Sequence, residues 1–127
     1  MIYCHGHFKP SEIYKLSKNK YYLLDFAHAK IYPEGYELAF MIWADWMMAS
    51  DWRLNYGKWY QGIFDWIADF EPIAKELEIE KFSSLIKVSL IERILGTILA
   101  DVLASERNDE EKRRRLSHLY KLLETLL

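Results

Sequence analysis

The run Cys4-His5-Gly6-His7-Phe8-Lys9-Pro10-Ser11-Glu12-Ile13, taken with Tyr21-Tyr22-Leu23-Leu24-Asp25-Phe26, decides how this chain is read. Residues 13–16 and 21–26 are short and rich in β-formers, and Ser17-Lys18-Asn19-Lys20 between them is a polar turn signal. Together they predict a β-hairpin. Pro10 and Ser11 place a loop before it, and Asp25 falls on its second strand.

Beyond the turn signal Pro33-Glu34-Gly35 the period becomes helical. Residues 36–49 carry Leu38, Phe40, Met41, Ile42, Trp43, Trp46 and Met47 without a breaker. A helix apolar nearly all round belongs at the centre. Asp51 is placed as the cap of a short turn. A second helix over 58–70 puts Trp59, Ile63, Trp66 and Ile67 on one face. Pro72 is expected to open a third, short helix through Leu77, because proline is tolerated in a first turn. A long fourth helix starts at Ser83 or Ser84 and ends near Ser105. Its expected apolar face is Leu85, Val88, Ile91, Leu95, Ile98, Leu99 and Val102. Asn108 or Asp109 caps the last helix, and Glu110 and Glu111 suit its first turn through the helix dipole. Leu116, Leu119, Tyr120, Leu123 and Leu126 line its buried face. The expected fold is mainly α with a small β-hairpin (α+β). It forms one domain over residues 1–127, with loop and hairpin in 1–34 and a helical bundle in 35–127.

Bulk properties narrow the function classes. The chain has 127 residues, of which 51% are hydrophobic, so it can bury a core and is not a disordered polymer. A net charge of -2 gives no polyanion-binding surface, which speaks against nucleic acid. Lys112-Arg113-Arg114-Arg115, preceded by acids, reads as a solvated helix face. One cysteine, Cys4, excludes an internal disulfide and a cysteine-based metal site. No stretch has the roughly 20 apolar residues that span a bilayer. The expectation is a cytoplasmic protein with no membrane segment. Cys4 is expected to pack as a small apolar group.

Phosphoryl transfer from ATP needs a group that orients the attacking hydroxyl, and polar residues that hold magnesium against the phosphates. The opening segment resembles, in this respect, the aminoglycoside phosphotransferase and choline kinase-like family. That family carries a His-Gly-Asp-x-x-x-x-Asn loop, then a hairpin leading to a hydrophobic-Asp-Phe motif. His5-Gly6 matches the start of the loop, Pro10-Ser11 its interior, and Asp25-Phe26 the magnesium motif. Positions 7 and 12 are five apart, and 7 and 25 are 18 apart, as the family requires. Glu37-Leu38-Ala39 is similar to its later acidic-hydrophobic-small element.

The resemblance implies the helical C-lobe of a kinase fold, with Mg and ATP as cofactors. Two positions depart from the pattern: His7 stands where the family has its catalytic Asp, and Glu12 where it has its magnesium-binding Asn. The resemblance therefore implies a degenerate site. Asp25 would bind magnesium, Glu12 would assist, His7 would occupy the catalytic position, and His5 would be structural. The glycine-rich loop and ATP-contacting lysine of the family's N-lobe have no counterpart here, which implies a fragment or a lone C-lobe. Its partner would be that lobe or another protein, and its uncovered apolar surface predicts self-association.

Other readings stand beside this one. His5, His7 and His28 with Asp25 form a candidate zinc set, since alternate residues of an extended segment point to one side. A non-catalytic helical binding module is the competing function. Trp43, Trp46, Trp52, Trp59 and Trp66 recur at helical spacing and read as core. Asp45, Asp51, Asp65 and Asp69 would suit a cationic amine substrate.

Overall fold

The computed structural model describes residues 1–49, 53–103 and 110–127. The placements made for Asp51, Trp52, Ser105, Asn108 and Asp109 lie outside them. The expected class holds: a mainly helical chain with small antiparallel β-ribbons at its N-terminal end. Strand β1 (Ile2–Cys4) pairs antiparallel with β4 (Lys30–Tyr32), Ile2 opposite Tyr32 and Cys4 opposite Lys30. Between them, β2 (Ile13–Ser17) and β3 (Lys20–Leu23) form the predicted hairpin, Ile13 opposite Leu23 and Tyr14 opposite Tyr22. The β1–β4 ribbon was not anticipated, because three-residue strands leave no periodicity to read.

Helix α1 (Tyr36–Met41) starts at Gly35, whose φ of 88° suits glycine, and runs into a π-helical stretch, Ile42–Met47. Helices α2 (Tyr56–Glu76), α3 (Phe82–Leu103) and α4 (Glu110–Leu126) complete the bundle. Trp59, Ile42, Met47, Ile63, Ile86, Leu90, Ile94, Leu119 and Leu122 are fully buried at its centre. The described tryptophans pack there as expected. Trp59 is buried, and Trp43, Trp46 and Trp66 lie half-buried against the core. Two of the ring nitrogens bond across the core: Trp43 Nε1 donates to Thr97 Oγ1 at 2.8 Å, and Trp46 Nε1 to Trp59 O at 2.9 Å.

Two helix readings are corrected. Pro72 does not open a separate helix but sits inside α2. Its missing N–H deprives only the carbonyl of Ala68, and both residues face solvent, so water replaces the lost bond. Ala74 beyond it is buried, and that packing carries the helix past the proline. On α3 the buried stripe is Phe82, Ile86, Leu90, Ile94 and Ile98, with Ser89 and Thr97. Val88, Leu95, Leu99 and Val102 of the expected face are instead exposed. This helix is apolar on more than one side, so period alone selects no single face. On α4, Leu119 and Leu122 are the fully buried pair, and Tyr120 faces out.

Helices α3 and α4 are tied by Arg115, whose Nε and Nη2 each donate to an Asp101 carboxylate oxygen at 2.6 Å. No helix among the described residues is long and apolar enough to cross a membrane.

Candidate cation site

The loop from Cys4 to Glu12 is shaped by Gly6. Its φ of 80° is a left-handed conformation open to glycine, and it turns the chain sharply between the two histidines. The Gly6 N–H donates to Glu37 Oε1 at 2.9 Å, so the first turn of α1 holds the loop in place. This turn also overturns the expectation that His5 and His7 point to one side, which needs an extended backbone. His5 is buried, its Nε2 sits 2.5 Å from Leu24 O, and its ring meets Phe26 edge-on at 4.6 Å. His7 is turned toward the end of the hairpin instead.

Asp25 was read as a strand residue. In the structure β3 stops at Leu23, and Asp25 caps the short 3-10 turn Phe26–His28 with φ 59°. Aspartate tolerates this conformation because its side chain can bond its own backbone, here accepting from Ala27 N at 3.4 Å. Glu12 closes a 3-10 turn at the head of β2, and its backbone oxygen accepts from Leu24 N at 3.0 Å. That bond clamps the two ends of the hairpin. One end carries Glu12 and the other Asp25.

His7, Glu12 and Asp25 thereby meet. Their ligand atoms all lie within 4.8 Å of one another, and they are the one such group of three or more among the described residues. His7 Nδ1 is 3.6 Å from Asp25 Oδ2, and Lys9 Nζ is 3.3 Å from Glu12 Oε1. His7 Nδ1 is shielded from water and makes no hydrogen bond. Two carboxylates converging on one space repel unless a cation lies between them, so the cluster suits a dication. Its two oxygen donors fit magnesium, with His7 as the nearest group able to accept a proton.

His28 does not join the cluster. It is exposed, and its ring lies 5.2 Å from that of His7. The four residues of the expected zinc set are therefore not brought together; the group that meets is His7, Glu12 and Asp25. Asp45, Asp65 and Asp69 are exposed, and Asp65 accepts from Gln61 Nε2 at 3.0 Å. The cavity nearest the loop holds about 230 Å³ and is lined by Tyr3, Cys4, His5, Phe8, Leu23 and Glu37. That is less than the ~300 Å³ at which small-molecule sites begin, so this cavity does not enclose a nucleotide.

Cys4 packs beneath the loop and is buried, as expected. Burial first, and the Glu37 carboxylate second, push its thiol up to about 11. The native protein should therefore resist alkylation at pH 8, reacting roughly a hundredfold slower than after unfolding, because the thiolate is the nucleophile. Thiol-reagent kinetics with and without denaturant check this; equal rates would refute it. A raised thiol favours the folded state below the ordinary value of 9.0, and that contribution fades as pH climbs toward 11.

No protein family, curated protein or solved structure matches this chain.

Proposed function

We propose that this chain is a kinase-like domain of the small-molecule phosphotransferase type whose catalytic loop has degenerated into a cation-binding, partner-binding module. One observation carries the reading. His7, Glu12 and Asp25, separated by up to 18 residues, converge at the end of the hairpin, where the resemblance puts the phosphate-facing site. The buried His5 beneath Phe26 supports it, since it fits the structural role that the resemblance implies. The imidazole at position 7 and the small neighbouring cavity favour a retained binding role over turnover by this chain alone.

When bound, magnesium would neutralise phosphate charge, with Asp25 and Glu12 as its protein oxygens. Of the chain's own groups, His7 can take up a proton at Nδ1, and Glu37 keeps the loop in place. The hairpin supplies the partner face: Tyr14, Leu16, Tyr21 and Tyr22 are all exposed. A helical interaction module without any nucleotide is the second reading, favoured by the exposed Val88, Leu95, Leu99 and Val102 on α3.

Calorimetric titration with ATP, with and without magnesium, decides between them. The expected result is weak, magnesium-dependent binding that falls about tenfold or more in Asp25→Asn, a loss of about 1.4 kcal/mol. Asparagine is chosen because it also tolerates a positive φ. Nucleotide binding indifferent to magnesium and to this substitution, or no binding at all, would refute the reading.

A further inference from the structure

We propose that His7, Glu12 and Asp25 form a three-ligand site for a first-row transition-metal dication of the zinc type, with His7 Nδ1 as the nitrogen ligand. This rests on the same three residues as the preceding proposal but assigns them a different ion, and it uses neither nucleotide nor phosphoryl transfer.

The spacing is the first argument. At 3.6 Å, His7 Nδ1 and Asp25 Oδ2 are too far apart for a good hydrogen bond. Two ligands on one tetrahedral ion, each about 2.0–2.2 Å from it, stand roughly 3.4 Å apart. The observed separation is close to that of a pair waiting to be bridged. The second argument is the state of the imidazole. His7 Nδ1 is hidden from water with no hydrogen-bond partner, which costs free energy that a metal–nitrogen bond would return.

The third argument is donor chemistry. Magnesium asks for octahedral oxygen ligands and keeps much of its water, whereas imidazole with carboxylates suits zinc and its neighbours. A set of one nitrogen and two carboxylate donors, within 4.8 Å, leaves a fourth tetrahedral position open. The backbone holds both sides of the set: Gly6 through Glu37, and Asp25 through its own cap. Loading requires Glu12 to reorient toward the ion, because its Oε1 is held by the Lys9 ammonium at 3.3 Å and by the Ser11 hydroxyl at 3.3 Å. Once ligated, His7 no longer accepts a proton, so the residue in the catalytic position acts as a metal ligand in place of a base.

The test uses tag-free, full-length, nucleotide-free protein in excess magnesium. Zinc is titrated by calorimetry, and cobalt(II) is followed by its visible absorption and by the paramagnetic shift of the His7 ring protons. One ion per chain is expected, with shifted His7 signals. His7→Gln and Asp25→Asn should each weaken binding about tenfold or more with an unchanged circular dichroism spectrum, while His28→Gln binds like the parent. No binding, an unshifted His7 ring, displacement by magnesium, or full affinity in His7→Gln would each overturn the proposal. The ring shift in unmodified protein keeps the test decisive if a variant misfolds. Zinc binding without magnesium–ATP binding would uphold the metal site and refute the phosphotransferase reading. The reverse pattern would do the opposite.

Discussion

Gly6→Ala should lower stability by roughly 2–5 kcal/mol and abolish cation binding. An added Cβ at position 6 would lie 2.1 Å from the His28 carbonyl oxygen and 2.8 Å from its carbon. Those are backbone atoms of the segment between Asp25 and β4, so no side-chain rotation relieves the clash. The left-handed φ of 80° adds about 1–2 kcal/mol for any residue with a Cβ, and forced overpacking adds about 1–3 kcal/mol. Relief requires the loop to move away from His28. That motion breaks the Gly6–Glu37 bond and carries His7 away from Asp25. Chemical denaturation measures the first effect and metal titration the second. A variant as stable as the parent, with its cation affinity intact, would show that the loop is not constrained as described.

The second large effect is expected at the α3–α4 junction. Asp101 and Arg115 form a two-pronged pair, with their side chains only 15% and 14% exposed. Removing the carboxylate takes both short bonds from a guanidinium that is only 14% exposed, while Glu111 Oε1 stays 3.9 Å away. Breaking a buried pair from one side costs about 3–5 kcal/mol, whereas an apolar pair of similar volume is often neutral or better. Asp101→Ala should therefore destabilise by about that amount, and Asp101→Leu with Arg115→Leu should recover most of it. Denaturation midpoints of the single and double variants test the contrast. Equal losses in both would mean that the pair's own attraction, and not the cost of leaving one buried charge without its carboxylate, holds the helices together.

The hairpin and the helical class were legible because each rests on a local pattern. Polar turn residues at 17–20 and the glycine at 35 mark boundaries that tertiary contacts do not override. Within the site, residue identities were legible but directions were not. Nothing in Cys4-His5-Gly6-His7 says that Gly6 takes a positive φ, yet that one angle separates a buried His5 from a His7 facing the hairpin end. Asp25 was displaced from strand to cap for the same kind of reason, since a residue at home in both the left-handed region and a turn gives no strand signal of its own. The face of α3 was illegible for a different cause. Phe82, Ile86, Leu90 and Ile94 compete with Val88, Leu95, Leu99 and Val102, and only the neighbouring helices choose between the stripes.

Among the described residues, neither long edge of the β2–β3 hairpin is paired with another strand. A tyrosine-rich ribbon with both edges open is a template for edge-to-edge growth between copies. Its lysines oppose that outcome. Lys15 lies 5.8 Å from the Tyr21 ring and Lys20 lies 5.7 Å from the Tyr22 ring, spreading charge over the surface that another strand would use. Charge placed there is expected to disfavour such growth, as lysines on edge strands do. Acetylating them would neutralise that protection without touching a single core contact.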